Sequence, residues 1–298
     1  MKIAFIFNDC HKDMWSTPGG LSLALKKKGH HLDRFDLKKI DELKTVQTNH
    51  HRYDAVVLWE AGEVKQDVLA LWKKENFSNT LMVAESGDDP QIFQYNLTHT
   101  LPADVVLTPD AHCRDLYEFN GKKAYWFTHW GDESVWLRSE PRDTGAVSST
   151  AGPRKGQWKN CMHALIENLG EKFVNPRLKG GDYISPKQNS DLYENCDVVV
   201  QVSSSGEITR RLFEASICER VVVADRLEAK RRLSDCLVEN EHIVLYDSPQ
   251  ECIEKVKMLL SNSELRKKIS KNAYKHVLKF HSTDSRASLL QKIIEENK

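Results

Sequence analysis

Glu207, Arg210, Arg211 and Glu214 follow directly on Ser203-Ser204-Ser205-Gly206, and this stretch carries the residue types that hold a phosphorylated ligand. With a helix opening on Glu207, a step of about 100° per residue puts Arg210, Arg211 and Glu214 within about 60° of Glu207 on one polar stripe, while Leu212 and Ala215 point away. Two readings stand. In one, Glu207 with Arg211 and Arg210 with Glu214 are i,i+4 ion pairs that solvate an outer helix face. In the other, the N–H groups of Ser204, Ser205, Gly206 and the first helical turn hold a diphosphate, an arginine neutralises it, and Glu214 accepts hydrogen bonds from ribose hydroxyls. Two arginines at a helix N-terminus oppose the macrodipole unless an anion sits there, which favours the second reading.

Other places offer complementary chemistry. Thr17-Pro18-Gly19-Gly20 reads as a turn after the first strand, where Gly19 and Gly20 would let a phosphate approach the backbone; a plain Pro-Gly turn is the competing reading. Thr150–Lys155 (TAGPRK) puts Arg154 and Lys155 at the start of a helix, either facing solvent or beside a phosphate. Glu85-Ser-Gly-Asp88-Asp89-Pro90 ends a strand with three carboxylates. Structurally, Asp89 would cap a helix starting at Pro90. Functionally, Asp88 would serve as a base, with Glu85 and Asp89 on the acceptor side. No histidine or further carboxylate stands there at ligand spacing, so no metal is expected. His129 lies just past a predicted strand, as a proton-exchanging group or a packed polar residue. Cys10-His11 has nothing in the sequence to orient it as a nucleophile, and the basic runs 26–28 and 230–232 suit solvated helix ends.

Such residues need a frame that gathers strand ends and helix starts. Val198–Val200 and Val221–Val223 are β-branched runs of the kind buried on both faces of a parallel sheet, with room between them for a crossover helix. Strands are also predicted at 2–8, 31–37, 54–59, 80–85, 105–108 and 124–128, with helices at 21–28, 64–76 and 111–120. That alternation implies a doubly wound parallel α/β sheet. Residues 140–150 (EPRDTGAVSST) gather Pro, Gly, Ser and charge before the alternation restarts, which places a domain boundary at 140. Further strands are expected near 145–150, 172–174 and 243–246. Helices are expected at 156–169, before Cys196, from Pro249, and at 264–280 and 284–296.

Composition sets outer limits. A chain of 298 residues suits two domains, and Lys+Arg and Asp+Glu both total 43, so no net charge draws it to nucleic acid or anionic membrane. The apolar run at the N-terminus is too short for a signal-peptide core or a membrane span, and a cytoplasmic protein is expected. Seven cysteines, odd in number and without C-x-x-C spacing, suit reduced core thiols.

Gly87-Asp-Asp-Pro90, Ala103-Asp-Val-Val-Leu-Thr-Pro-Asp110 with Cys113 and Tyr117, His129-Trp-Gly-Asp132, Arg211-Leu-Phe-Glu-Ala215, and Ile243-Val-Leu-Tyr-Asp-Ser-Pro249 through Glu264-Leu-Arg266 to His281 stand in a telling order. Together they resemble the nucleotide-sugar-dependent glycosyltransferases of the two-domain GT-B fold, of the group-1 type that includes the spore-maturation CgeB-like proteins. The likeness spans nearly the whole chain. It implies two Rossmann-like doubly wound domains facing across a cleft: 1–140 on the acceptor side, 141–283 binding the nucleotide sugar, and a helix at 284–298 packing back on the first domain. It also implies transfer with retention from a UDP-linked sugar, with no cofactor and no metal. The family's acidic pair would fall on Glu214, for the ribose, and eight positions earlier, for the donor sugar. That earlier position is Gly206, and Glu207 inherits the role only if the turn is one residue tighter. A non-catalytic nucleotide-sugar-binding or scaffold protein, a transferase acting on modified nucleic acid bases and a sugar epimerase are the alternatives.

Overall fold

The computed structural model describes residues 1–8, 10, 17–63, 72, 74–139, 143–151, 157–179 and 185–298. The chain divides into two compact units, Met1–Thr128 with Thr283–Lys298, and His129–Ser282. The division falls ahead of residue 140 because the 129–139 segment is built into the second unit. Gly131 bridges to Ser282, and a Cβ at Gly131 would stand 2.3 Å from Ile217 Cγ1. Trp136 packs edge-on against Tyr193, and the buried Arg220 donates to the Ser139 carbonyl at 3.1 Å.

In the first unit, strands β1 (Lys2–Phe7), β2 (His31–Asp36), β3 (Ala55–Leu58), β4 (Leu81–Glu85), β5 (Val105–Thr108) and β6 (Lys123–Trp126) form one parallel sheet in the order β2-β1-β3-β4-β5-β6. β3, β4 and β5 read AVVL, LMVAE and VVLT and are buried throughout, as strands covered on both faces must be. Helix Thr17–Lys27 takes in Pro18, Gly19 and Gly20, which were expected to form a turn. Proline is tolerated in a first helical turn, and the two glycines are buried there, where side chains would need room. That helix packs against helix Thr283–Asn297, with Lys28 Nζ 2.8 Å from Asp284 and His30 3.0 Å from Gln291. The helix expected over 64–76 falls largely outside the described residues; its end is a 3-10 turn, Lys74–Phe77.

The second unit holds β7 (Val147–Ser148), β8 (Phe173–Val174), β9 (Val198–Gln201), β10 (Val221–Asp225) and β11 (Val244–Tyr246), again all parallel, in the order β11-β10-β9-β7-β8. Helices Gln157–Leu169 and Pro249–Ser261 pack together above a core that includes Val147, Val198, Val200, Val221, Val223 and Val256. Helices Arg210–Ile217 and Ser263–Phe280 form another packed pair. All seven cysteines are buried and free. Among the described residues no helix is long and apolar enough to cross a membrane.

Candidate functional site

Strand order locates the crevices. In an open parallel sheet, ligands bind beyond the carboxyl ends of the strands, where the order reverses. In the second unit the order reverses between β7 and β9, so the residues after Ser148 and those after Gln201 flank the crevice. The first contribute Ser149 and Thr150, both buried. Arg154 and Lys155, expected here, lie outside the described residues. The second contribute the turn Ser203–Glu207.

That turn is held by two carboxylates. Asp225, at the end of β10, accepts the Ser203 N–H at 2.9 Å and also the Ser203 hydroxyl. It is 7% exposed. Burial pushes its pKa up, the Ser203 bonds oppose that, and the nearby charge of Glu207 adds to the rise. Glu207 curls back over the turn. Its Oε1 accepts the N–H and hydroxyl of Ser204, both at 3.1 Å, and its Oε2 accepts the Ser205 N–H at 2.6 Å. The helix therefore does not open on Glu207. It starts at Arg210 with Thr209 as N-cap. The Thr209 side chain makes no capping bond, and its buried hydroxyl finds no partner among the described residues.

The backbone explains where the acid stands. Gly206 has φ +69°, and a Cβ there would meet nothing within 4 Å. Its glycine is required by conformation rather than space, since other residues lose about 1–2 kcal/mol in the left-handed region. An acid at 206 would carry that strain, and here the acid is the next residue.

Glu214 is not on a solvated stripe. Every residue from Leu212 to Ile217 is buried, and Glu214 is 7% exposed, with the Tyr193 hydroxyl donating to its Oε2 at 3.4 Å. Burial raises its pKa, while the positive charges of Arg210 and Arg211 and the Tyr193 bond pull it down. Arg210 is exposed and Arg211 half-buried. Thus Ser204, Ser205, Gly206 and Glu207 form one turn, Arg210 and Arg211 follow at the helix start, and Glu214 faces inward on that helix. A cavity of about 540 Å³ elsewhere in this unit, lined by Ser148, Val174, Leu192 and Cys196 among others, includes none of these residues.

In the first unit the order reverses between β1 and β3. Helix Thr17–Lys27, with Gly19 and Gly20 in its first turn, is the next described element after β1. Glu60 follows β3 at φ +58° and gives its N–H to Glu85 Oε2 at 3.0 Å, with Gly87 against its side chain. Asp88 is exposed at φ +59°. Asp89 caps no helix; the helix starts at Phe93 with Ile92 as N-cap. Only 3% exposed, Asp89 accepts Ser86 Oγ at 2.6 Å, Thr108 Oγ1 at 2.8 Å and Asn96 Nδ2 at 2.9 Å. These side-chain donors tie the β4 loop to the end of β5. His129 is half-buried at the start of the second unit.

Asp225, Tyr193 and Glu60 were not singled out in the sequence. An acid closing a Val-rich strand is a usable sign for Asp225, and Glu60 likewise lies just past a buried strand. Tyr193 has none, since only the fold brings it to Glu214. Among the described residues no group of three or more His, Cys, Asp or Glu side chains could hold a metal ion.

A family model described as glycosyl transferase-like matches residues 136–292. No curated protein matches the chain by sequence. Sucrose-phosphate synthase from Thermosynechococcus elongatus superposes with a TM-score of 0.67 at 11% identity, covering 99% of this chain and 98% of that one. Anabaena HepE in complex with UDP-glucose gives 0.68 at 12% identity, with 99% and 100% covered. The DNA-modifying beta-glucosyltransferase, determined in the presence and absence of uridine diphosphoglucose, gives 0.62 at 13%, again over 99% and 100%. At these identities the likeness is one of fold, the two-domain GT-B arrangement of parallel sheets.

Proposed function

The chain belongs to the glycosyl transferase-like family, and on that premise we propose that it moves a sugar from a UDP-linked donor to an acceptor, with retention and without a metal. The second unit binds the donor. N–H groups of the Ser204–Gly206 turn and the start of helix Arg210–Ile217 take the diphosphate, with Arg210 and Arg211 beside it and Arg154 and Lys155 adding positive charge. Glu214 accepts the ribose hydroxyls, and Glu207 the donor sugar. As the bond to the sugar breaks, charge grows on the departing diphosphate, and these cations and N–H groups stabilise it.

The observation that carries the reading is Glu214: an acid more than nine-tenths buried, to which, among the described residues, a single phenol donates at 3.4 Å, on the helix that leaves the crevice turn. A buried carboxylate so lightly served is costly unless a ligand's hydroxyls complete its bonding. In the first unit Asp88 is the exposed acid that acts on the acceptor, with Glu85 also on the acceptor side and Asp89 fixing the loop. His129 exchanges protons. Retention and membership of the spore-maturation subgroup rest on the order of the motifs. Seven buried free thiols favour a reducing compartment, so we place the protein in the cytoplasm.

Calorimetry with UDP on the wild type, Arg211→Ala and Glu214→Ala tests the donor site. Each substitution is expected to weaken binding about 10- to 100-fold, the range for losing a hydrogen bond to a charged group. Unchanged affinity in both variants sinks the assignment.

A further inference from the structure

We propose that Glu207 is the resident anion of the Ser203–Glu207 turn, seated on the donors that a diphosphate takes over, so that donor binding exchanges one anion for another. This rests on the reading of the second unit as the donor domain. Three donors, the Ser204 N–H, the Ser204 hydroxyl and the Ser205 N–H, converge on the one carboxylate at 2.6–3.1 Å. They are the groups a phosphate would need, and they cannot serve both at full strength.

The two carboxylates of the turn are held differently. Asp225 is buried and grips Ser203 from the adjacent strand, so it stays when a ligand arrives. Glu207 is only half-buried, and Ser204 and Ser205 are exposed, so the seat opens to solvent and the exchange has a route. Asp225 already feels the charge of Glu207. A diphosphate added beside both acids would meet two like charges; with Glu207 displaced it meets one. Arg210 and Arg211, at the helix start, favour an anion at this place in either state. The freed carboxylate is then available to the donor sugar, which reconciles an acid one position past the expected place with the role assigned to it.

An internal competitor lowers apparent affinity by the fraction of molecules in which it occupies the seat. Removing it should therefore strengthen nucleotide binding, the opposite of what loss of a ligand contact does. The test is calorimetry of UDP and of uridine with the wild type, Glu207→Gln and Glu207→Ala, alongside thermal melting of each. UDP is expected to bind both variants about five- to tenfold tighter, with uridine affinity and melting temperature unchanged. UDP affinity that is unchanged or weaker in both variants overturns the exchange and leaves the donor-site reading standing. An equal gain for uridine also overturns it, because the seat would then not be specific to phosphate. Failure of UDP to bind any of the three proteins overturns the exchange and the donor-site reading together.

Discussion

The Ser86–Asp89 turn of the first unit and the Ser203–Glu207 turn of the second each leave a parallel strand and close on a carboxylate, but the donors differ. Asp89 is buried and receives three side chains, from Ser86, Thr108 and Asn96, drawn from three separate segments. Glu207 is half-buried and receives two N–H groups and a hydroxyl from its own turn, two and three residues back. The first arrangement ties elements together and cannot be undone without exposing a buried polar cluster. The second costs only a local rearrangement. Identical chemistry thus produces a permanent strut in one unit and an exchangeable contact in the other, and the separation is made by burial and by the distance along the chain between partners.

Asp89→Ala should have the largest effect on stability, since three donors lose their acceptor in a buried site. About 3–5 kcal/mol is expected in the first unit's unfolding by urea, against less than about 1 kcal/mol for Glu207→Ala in the second. Equal costs would erase the contrast. Gly206→Ala probes the turn's backbone instead and should cost about 1–2 kcal/mol from φ +69° alone, because there is room for the added carbon.

Glu214 sharpens the comparison through pH. Burial raises its folded pKa above the unfolded value of about 4.3, so the folded state holds the proton longer than the unfolded one. The stability associated with that proton is present below the unfolded value and is lost as pH rises through the folded one. Glu214→Gln should therefore melt close to the wild type near pH 4 and higher than it at pH 7. Each kcal/mol gained corresponds to roughly 2–4 °C, and UDP binding should meanwhile fall. A melting difference that shrinks as pH rises would contradict the cause assigned to the shift. The smallest effect is expected at Arg226, which follows β10 and pairs with Glu239 at 2.8 Å and Asp247 at 3.1 Å on the surface. Arg226→Ala should cost less than about 1 kcal/mol in a urea titration, and less still at high salt.

The frame was largely legible because β-branched runs such as Val198–Val200 and Val221–Val223 admit few alternatives to buried parallel strands. Cysteine spacing and the helix pattern after Pro249 were equally direct. What escaped were choices made by local competition or by distant neighbours. A helix opening on Glu207 was expected from period and charge, yet Gly206 lets the chain reverse, and the Glu207 carboxylate captures N–H groups before the helix begins. Glu214 stood between a surface ion pair with Arg210 and a ribose ligand, and it is the packing around Leu212–Ile217, which no spacing states, that buries it and removes the first reading. Gly19 and Gly20 read as a turn because Pro-Gly is common punctuation, while the same residues also suit a buried first helical turn. Asp225 reaches Ser203 because β9 and β10 are neighbours, a pairing no single stretch of sequence states.

The routing of the chain has a consequence for biosynthesis. The first unit is written in two pieces, Met1–Thr128 and Thr283–Lys298, with all of the second unit encoded between them. A nascent chain emerging from the ribosome can complete the second unit once Ser282 is out. The first unit must wait for the helix that covers Thr17–Lys27, so the part translated first is finished last. Until then helix Thr17–Lys27, which carries the fully buried Leu21 and Leu25, lacks the helix that packs against it. Holdase chaperones that bind exposed apolar segments should therefore engage ribosome-bound chains cut after Ser282, and extended by a linker long enough to clear the exit tunnel, more strongly at the N-terminal unit than at the complete unit that follows it.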